Sequence, residues 1–167
     1  MHVSVNLKMA PFEPSHGSPV IINQRILSDG SLLFGMRLES SCAREEFKKC
    51  IKELKSFLQW VDSNNQVFQM VLQVNLESGI NLEQILEINR CMKKRVDILI
   101  KYYKGTLVFI DSKPIEMLIN TALTILPPLK EFHTIFTEYN GERDSWGLTE
   151  SMSVQMEKIL QGFSSPK

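Results

Sequence analysis

Three short clusters in the 167-residue chain carry side chains able to do chemistry. The first is Glu77-Ser78-Gly79 with Asn81, inside "NLESGINLEQIL". A serine just ahead of a helix is a candidate phosphate acceptor, because a helix N-terminus presents orphan N–H groups and the positive end of the helix dipole. The second is Asp111-Ser112, closing "TLVFID". A carboxylate and a hydroxyl after a strand suit either a ligand pocket or a helix cap, and Asp111 with Glu77 would be the acid/base groups of a small enzyme. The third is Arg143 with Trp146 in "NGERDSWG". These are residue types that interfaces favour, and Trp146 is either tucked over the core edge or offered to a partner.

Other catalytic patterns are missing. His2, His16 and His133 are scattered, and Cys42, Cys50 and Cys91 lack any C-x-x-C spacing. Neither a metal site nor a cofactor is called for. Cys50 falls on an apolar helix stripe, where a thiol is inert packing, while Cys91 is expected to be more exposed. Neither G-x-G-x-x-G nor G-x-x-x-x-G-K-[ST] occurs, which removes the nucleotide-cradle reading. Lys93-Lys94-Arg95, with Arg90, Lys101 and Lys104 nearby, reads as the solvated face of a helix.

Composition narrows the class further. Hydrophobic residues make up 43% and charged residues 23%, ordinary for a globular domain able to bury a core. Nineteen basic residues balance nineteen acidic ones, so no global field draws the chain to nucleic acid or an anionic membrane. No run approaches the roughly 18 apolar residues of a membrane span, and the N-terminal stretch lacks a signal-peptide core. A cytoplasmic protein with reduced thiols and no membrane insertion is the expectation.

The elements that must position the clusters can be read in order. Residues 1–18 form a loosely ordered arm, and residues 19–167 a single domain. "VIINQRILSDGSLLFGMRLE" is a hairpin turning at Ser28-Asp29-Gly30-Ser31. Phe47, Cys50, Ile51, Leu54, Phe57, Leu58 and Val61 then mark an amphipathic helix, with Lys48, Lys49, Lys52, Glu53 and Lys55 off its stripe. Phe68 to Leu76 alternates as a strand whose second face, Gln69, Gln73 and Asn75, is polar. Asn81 and Gln84 make a capping-box pattern, opening one long helix that runs to Gly105. "TLVFID" is a buried strand. Ser112 caps a helix with Pro114 in its first turn, and Pro127-Pro128 stops it. "EFHTIFTEY" is a strand, and a last helix carries Leu148, Met152, Met156, Ile159, Leu160 and Phe163. The order ββαβαβαβα predicts an α/β fold: a mixed sheet of about five strands with about four helices.

That order, with a serine-glycine turn after the third strand, resembles the STAS domain of bacterial anti-sigma factor antagonists and of the cytoplasmic tails of sulfate transporters. The likeness spans roughly residues 19–163. In that family the third strand ends in an Asp-Ser-Ser-Gly type turn, and the serine before the glycine is phosphorylated by a partner kinase. Ser78 and Gly79 stand at those two positions, with Leu76 and Glu77 in place of the aspartate and first serine. The resemblance implies a non-enzymatic regulatory module that binds a partner protein, a regulator or kinase, and is switched at Ser78.

The expected partner-binding residues are Glu77, Ser78, Gly79, Asn81, Asp111, Ser112, Arg143 and Trp146. The first alternative is a small enzyme or ligand binder with a pocket near Asp111. Another is a homodimer paired through the polar sheet face, which either the arm or a second chain would cover.

Overall fold

The computed structural model describes residues 12–14, 20–38, 44–75, 79–137 and 141–164. Its strands are β1 (Val20–Ile26), β2 (Leu32–Leu38), β3 (Phe68–Val74), β4 (Tyr103–Ile110) and β5 (Glu131–Phe136). Its helices are α1 (Arg44–Asn64), α2 (Leu82–Lys93), α3 (Val96–Tyr102), α4 (Lys113–Ile125) and α5 (Glu150–Gln161). The fold is the expected α/β one with a five-stranded mixed sheet, and its strands lie side by side in chain order. β1 pairs antiparallel with β2, and every later neighbour pairs parallel.

Sequential order has a consequence. Parallel crossovers are right-handed almost without exception, so three crossovers moving the same way along the sheet place their helices on one face. The core divides accordingly. Leu32, Phe34, Phe68, Met70, Val108 and Ile110 of the sheet share one buried cluster with α1 to α4. Leu33, Val71, Leu107 and Phe109 share the other with Met152, Met156 and Leu160 of α5. Aromatic rings centre the first cluster: Phe57 stacks on Phe34 with centroids 3.7 Å apart and meets Phe68 edge-on at 5.1 Å.

Local chemistry sets the boundaries. In the hairpin turn Gly30 takes φ +86°, and Asp29 Oδ1 accepts from the Ser31 N–H at 2.9 Å and the Ser31 hydroxyl at 2.6 Å. Asn65 ends α1 in the left-handed region at φ 50°, a conformation asparagine tolerates. The arm is tied down at Phe12, which is buried and exchanges hydrogen bonds with the Gln24 side chain.

Several expectations are corrected. The long helix is two: α2 ends at a turn on Lys94 and Arg95, and α3 is followed directly by β4 at Tyr103 rather than Thr106. Pairing of Tyr103 with Phe68 draws "YYKG" into the sheet, which suits its aromatic residues better than a helix does. Cys91 is buried, as is Glu53, which the stripe had left outside and which is engaged within the chain. The polar face of β3 is covered by α5 and its preceding loop: Gln69 is fully buried, and Gln73 Nε2 donates to Trp146 O at 2.6 Å.

Candidate functional site

Val74 pairs with Ile110, so the chain leaves β3 and β4 on one edge of the sheet. The structure thereby brings the Gly79–Asn81 turn and Asp111-Ser112 to the same end of neighbouring strands. Glu77 and Ser78 lie outside the described residues. Gly79 is exposed with φ +69° and open space about it, so the backbone angle alone demands glycine. Ile80 is buried and pins the turn to the core. Asn81 caps α2 as expected: its Oδ1 accepts from the Gln84 N–H at 2.9 Å, and Gln84 Oε1 accepts from the Asn81 N–H at 3.0 Å.

Ser112 departs from its expected role. It occupies the N-cap position of α4 but makes no side-chain cap bond, and its Oγ is buried without a hydrogen-bond partner among the described residues. A capping hydroxyl looks for the N–H of the second or third helical residue, and Pro114 removes one of them. Asp111 is half-buried and already engaged within the chain.

A groove of about 720 Å³ opens beside Asn81, between α1 and α2. Buried Phe47 and Ile51 form its floor. Lys48, Lys52 and Lys55 line one wall, and Glu83 and Glu87 the other. Lys48 leans on Glu45 at 3.6 Å, and Arg90 meets Glu83 at 2.8 Å. Among the described residues Lys52, Lys55 and Glu87 enter no ion pair. Further along α2, burial pushes the Cys91 thiol above its usual range while Lys55 and other cations oppose the shift.

Arg143 and Trp146 sit elsewhere, on the α5 face of the sheet. Asp144 Oδ1 accepts from the Trp146 N–H at 2.9 Å and the Leu148 N–H at 3.0 Å, closing the loop, and Arg143 donates to Gly147 O at 2.7 Å. The indole lies directly on Gly35, where an added Cβ would come within 2.5 Å of its Cζ3. The Arg25 guanidinium stands 5.6 Å from the indole centroid. Of its two expected positions, Trp146 takes the tucked one.

A second polar cluster, absent from the sequence reading, occupies the opposite edge of the sheet. Lys104 is only 7% exposed, and its Nζ lies 3.2 Å from Asp29 Oδ2. Asp29's carboxyl is held down at about 2, chiefly by the Ser31 hydroxyl, against the opposing effect of burial, with the Ser31 N–H and Lys104 assisting. The signal for it was "YYKG": a glycine just after a lysine, one strand away from Gln69. It reads as a helix end unless the sheet pairing is known. No group of three or more metal-ligating side chains occurs among the described residues, and none of their helices is long and apolar enough to cross a membrane. No family model, curated protein or solved structure matches the chain.

Proposed function

We propose that this chain is a protein-interaction module of STAS-like build, which holds a partner protein in the groove between α1 and α2 and at the Gly79 turn that opens it. The observation that carries the reading is the groove itself: an apolar floor flanked by a lysine wall and a carboxylate wall. Such a surface selects register and orientation in a partner segment, because like charges brought together in the wrong register repel. The fitting occupant is a protein segment with an apolar stripe, acidic residues on the side facing Lys48, Lys52 and Lys55, and a basic residue facing Glu87. The order of elements supports the STAS-like part of the reading, and neither metal nor cofactor is needed for it. Phosphorylation of Ser78, one residue before Gly79, would add a charge of about −1.5 to −2 at the turn and weaken an interface whose register depends on charge. The alternative placing Asp111 in a catalytic pocket draws no specific support, since that carboxylate is half-buried and already engaged.

The test is affinity isolation of the tagged chain from its native cells, with mass spectrometry of bound proteins and of the Ser78 peptide. A stoichiometric partner is expected, lost from a Lys52→Glu/Lys55→Glu chain that keeps its circular dichroism. A partner retained by that variant, or a chain that returns alone and monomeric, overturns the reading.

A further inference from the structure

The register between β3 and β4 slips at their start. Phe68 pairs with Tyr103, but Met70 pairs with Thr106, so Lys104 and Gly105 together stand opposite the single residue Gln69. This is a β-bulge, a device that re-aims side chains. Gly105 makes it possible, with φ +152° and an added Cβ falling 2.8 Å from Glu131 O and 2.9 Å from Phe163 Cε2. The bulge turns Lys104 onto the α5 face beside Gln69, a face otherwise filled by Leu107, Phe109 and the helix.

The hydrogen bonds there run in one direction. Gln69, fully buried, donates from Nε2 to Ser31 Oγ at 2.9 Å. The Ser31 hydroxyl is committed to Asp29 Oδ1 at 2.6 Å, and Lys104 donates to Asp29 Oδ2. Turning the Gln69 amide over would set its oxygen against Leu32 O, now 3.5 Å from Nε2, and take the Ser31 proton from Asp29. The orientation is therefore determined, and it leaves Gln69 Oε1 a buried acceptor without a donor among the described residues. Buried polar atoms are rarely left so. The Lys104 ammonium has three N–H donors, of which Asp29 takes one. Gln69 and Lys104 are among the residues around a cleft of about 530 Å³, walled by Ile26, Leu27 and Leu160 and rimmed by Arg25 and Glu157, which approach to 3.9 Å; Gln69 Oε1 lies buried at its base.

We propose that this cleft binds a small zwitterion of the amino-acid class, its carboxylate on Lys104 and its ammonium on Gln69 Oε1. The lining chemistry selects that class. One unsatisfied acceptor and spare cationic donors need a ligand that both gives and takes. Two cations, Lys104 and Arg25, balance two carboxylates, Asp29 and Glu157, so a ligand of zero net charge leaves the balance intact. Ile26, Leu27 and Leu160 offer an apolar wall to its side chain. The site is separate from the groove between α1 and α2.

The experiment is a titration of the ¹⁵N-labelled full chain with each of the common amino acids at millimolar concentration, read by amide shifts and by melting temperature. At least one amino acid is expected to raise the melting temperature and to move the amides of Ser31, Gln69 and Lys104, leaving those of Lys52 and Glu87 in place. Gln69→Leu is expected to weaken that binding by about tenfold or more. Arg25→Ala, at the exposed rim, should fold normally and weaken it less. Absence of any binder, shifts confined to other surfaces, affinity unchanged in Gln69→Leu, or a crystal soaked in amino acid that shows only water between Lys104 and Gln69 would each overturn the proposal.

Discussion

At the scale of single residues, the Asp29 carboxylate joins the hairpin turn to the buried lysine. Its pKa in the folded chain, about 2, lies below the ordinary 3.8 because the charged form accepts from Ser31 and Lys104. The folded state thus holds that proton less tightly than the unfolded state. The stability it contributes is complete above about pH 4 and is lost as pH falls toward 2. The carboxylate is 54% exposed, so solvent screening limits the contribution to about 1 kcal/mol. Asp29→Asn should lower the unfolding free energy at neutral pH by that amount, read from the shift in urea midpoint, and the gap to the native chain should close between pH 4 and pH 2. A gap that stays constant with pH would assign the turn's stability to its backbone alone.

At the scale of elements, β4 is the strand on which most depends. All eight of its residues are buried, as a central strand covered on both faces must be. Its bulge needs Gly105, so Gly105→Ala combines a left-handed backbone angle with a steric conflict against the Glu131 carbonyl. The expected loss is on the order of 2–3 kcal/mol, read as a lower denaturant midpoint with unchanged slope. Near-native stability would mean that the bulge re-forms at another residue, and Lys104 would then leave its burial. The capping box at Asn81 is local by comparison. It organises only the entry to α2, and that is why four residues of sequence suffice to read it.

For the molecule as a whole, the one-way march of strands leaves a face that the crossover helices never reach. Helix α5 and the Trp146 loop close it. Leu33, Val71, Leu107 and Phe109, each at most 1% exposed, depend on that cover. At about 1.5–3 kcal/mol for each buried side chain, their exposure would consume most of the roughly 5–15 kcal/mol by which a domain is stable. A chain ending before Thr149 should therefore aggregate or bind a hydrophobic dye instead of giving a monomeric peak in size exclusion. A monomeric, cooperatively melting truncation would show that α5 is an accessory layer.

The sequence by itself determined what depends on short-range order. It was enough for the hairpin at Asp29-Gly30, the stripe of α1, the Asn81–Gln84 cap, five strands and the α/β class, because period and capping chemistry are written within a few residues. Tertiary structure decided what depends on pairing. Whether "YYKG" ends a helix or starts a strand turns on Phe68, about 35 positions earlier, and no local pattern carries that information. The same holds for Trp146, whose place was settled by an absent Cβ at Gly35, and for Gln69, whose polar face became interior once α5 returned across the sheet. The Asp29–Lys104 cluster was illegible for that reason: its members come from two strands and the hairpin turn, and only the bulge in β4 aims them together.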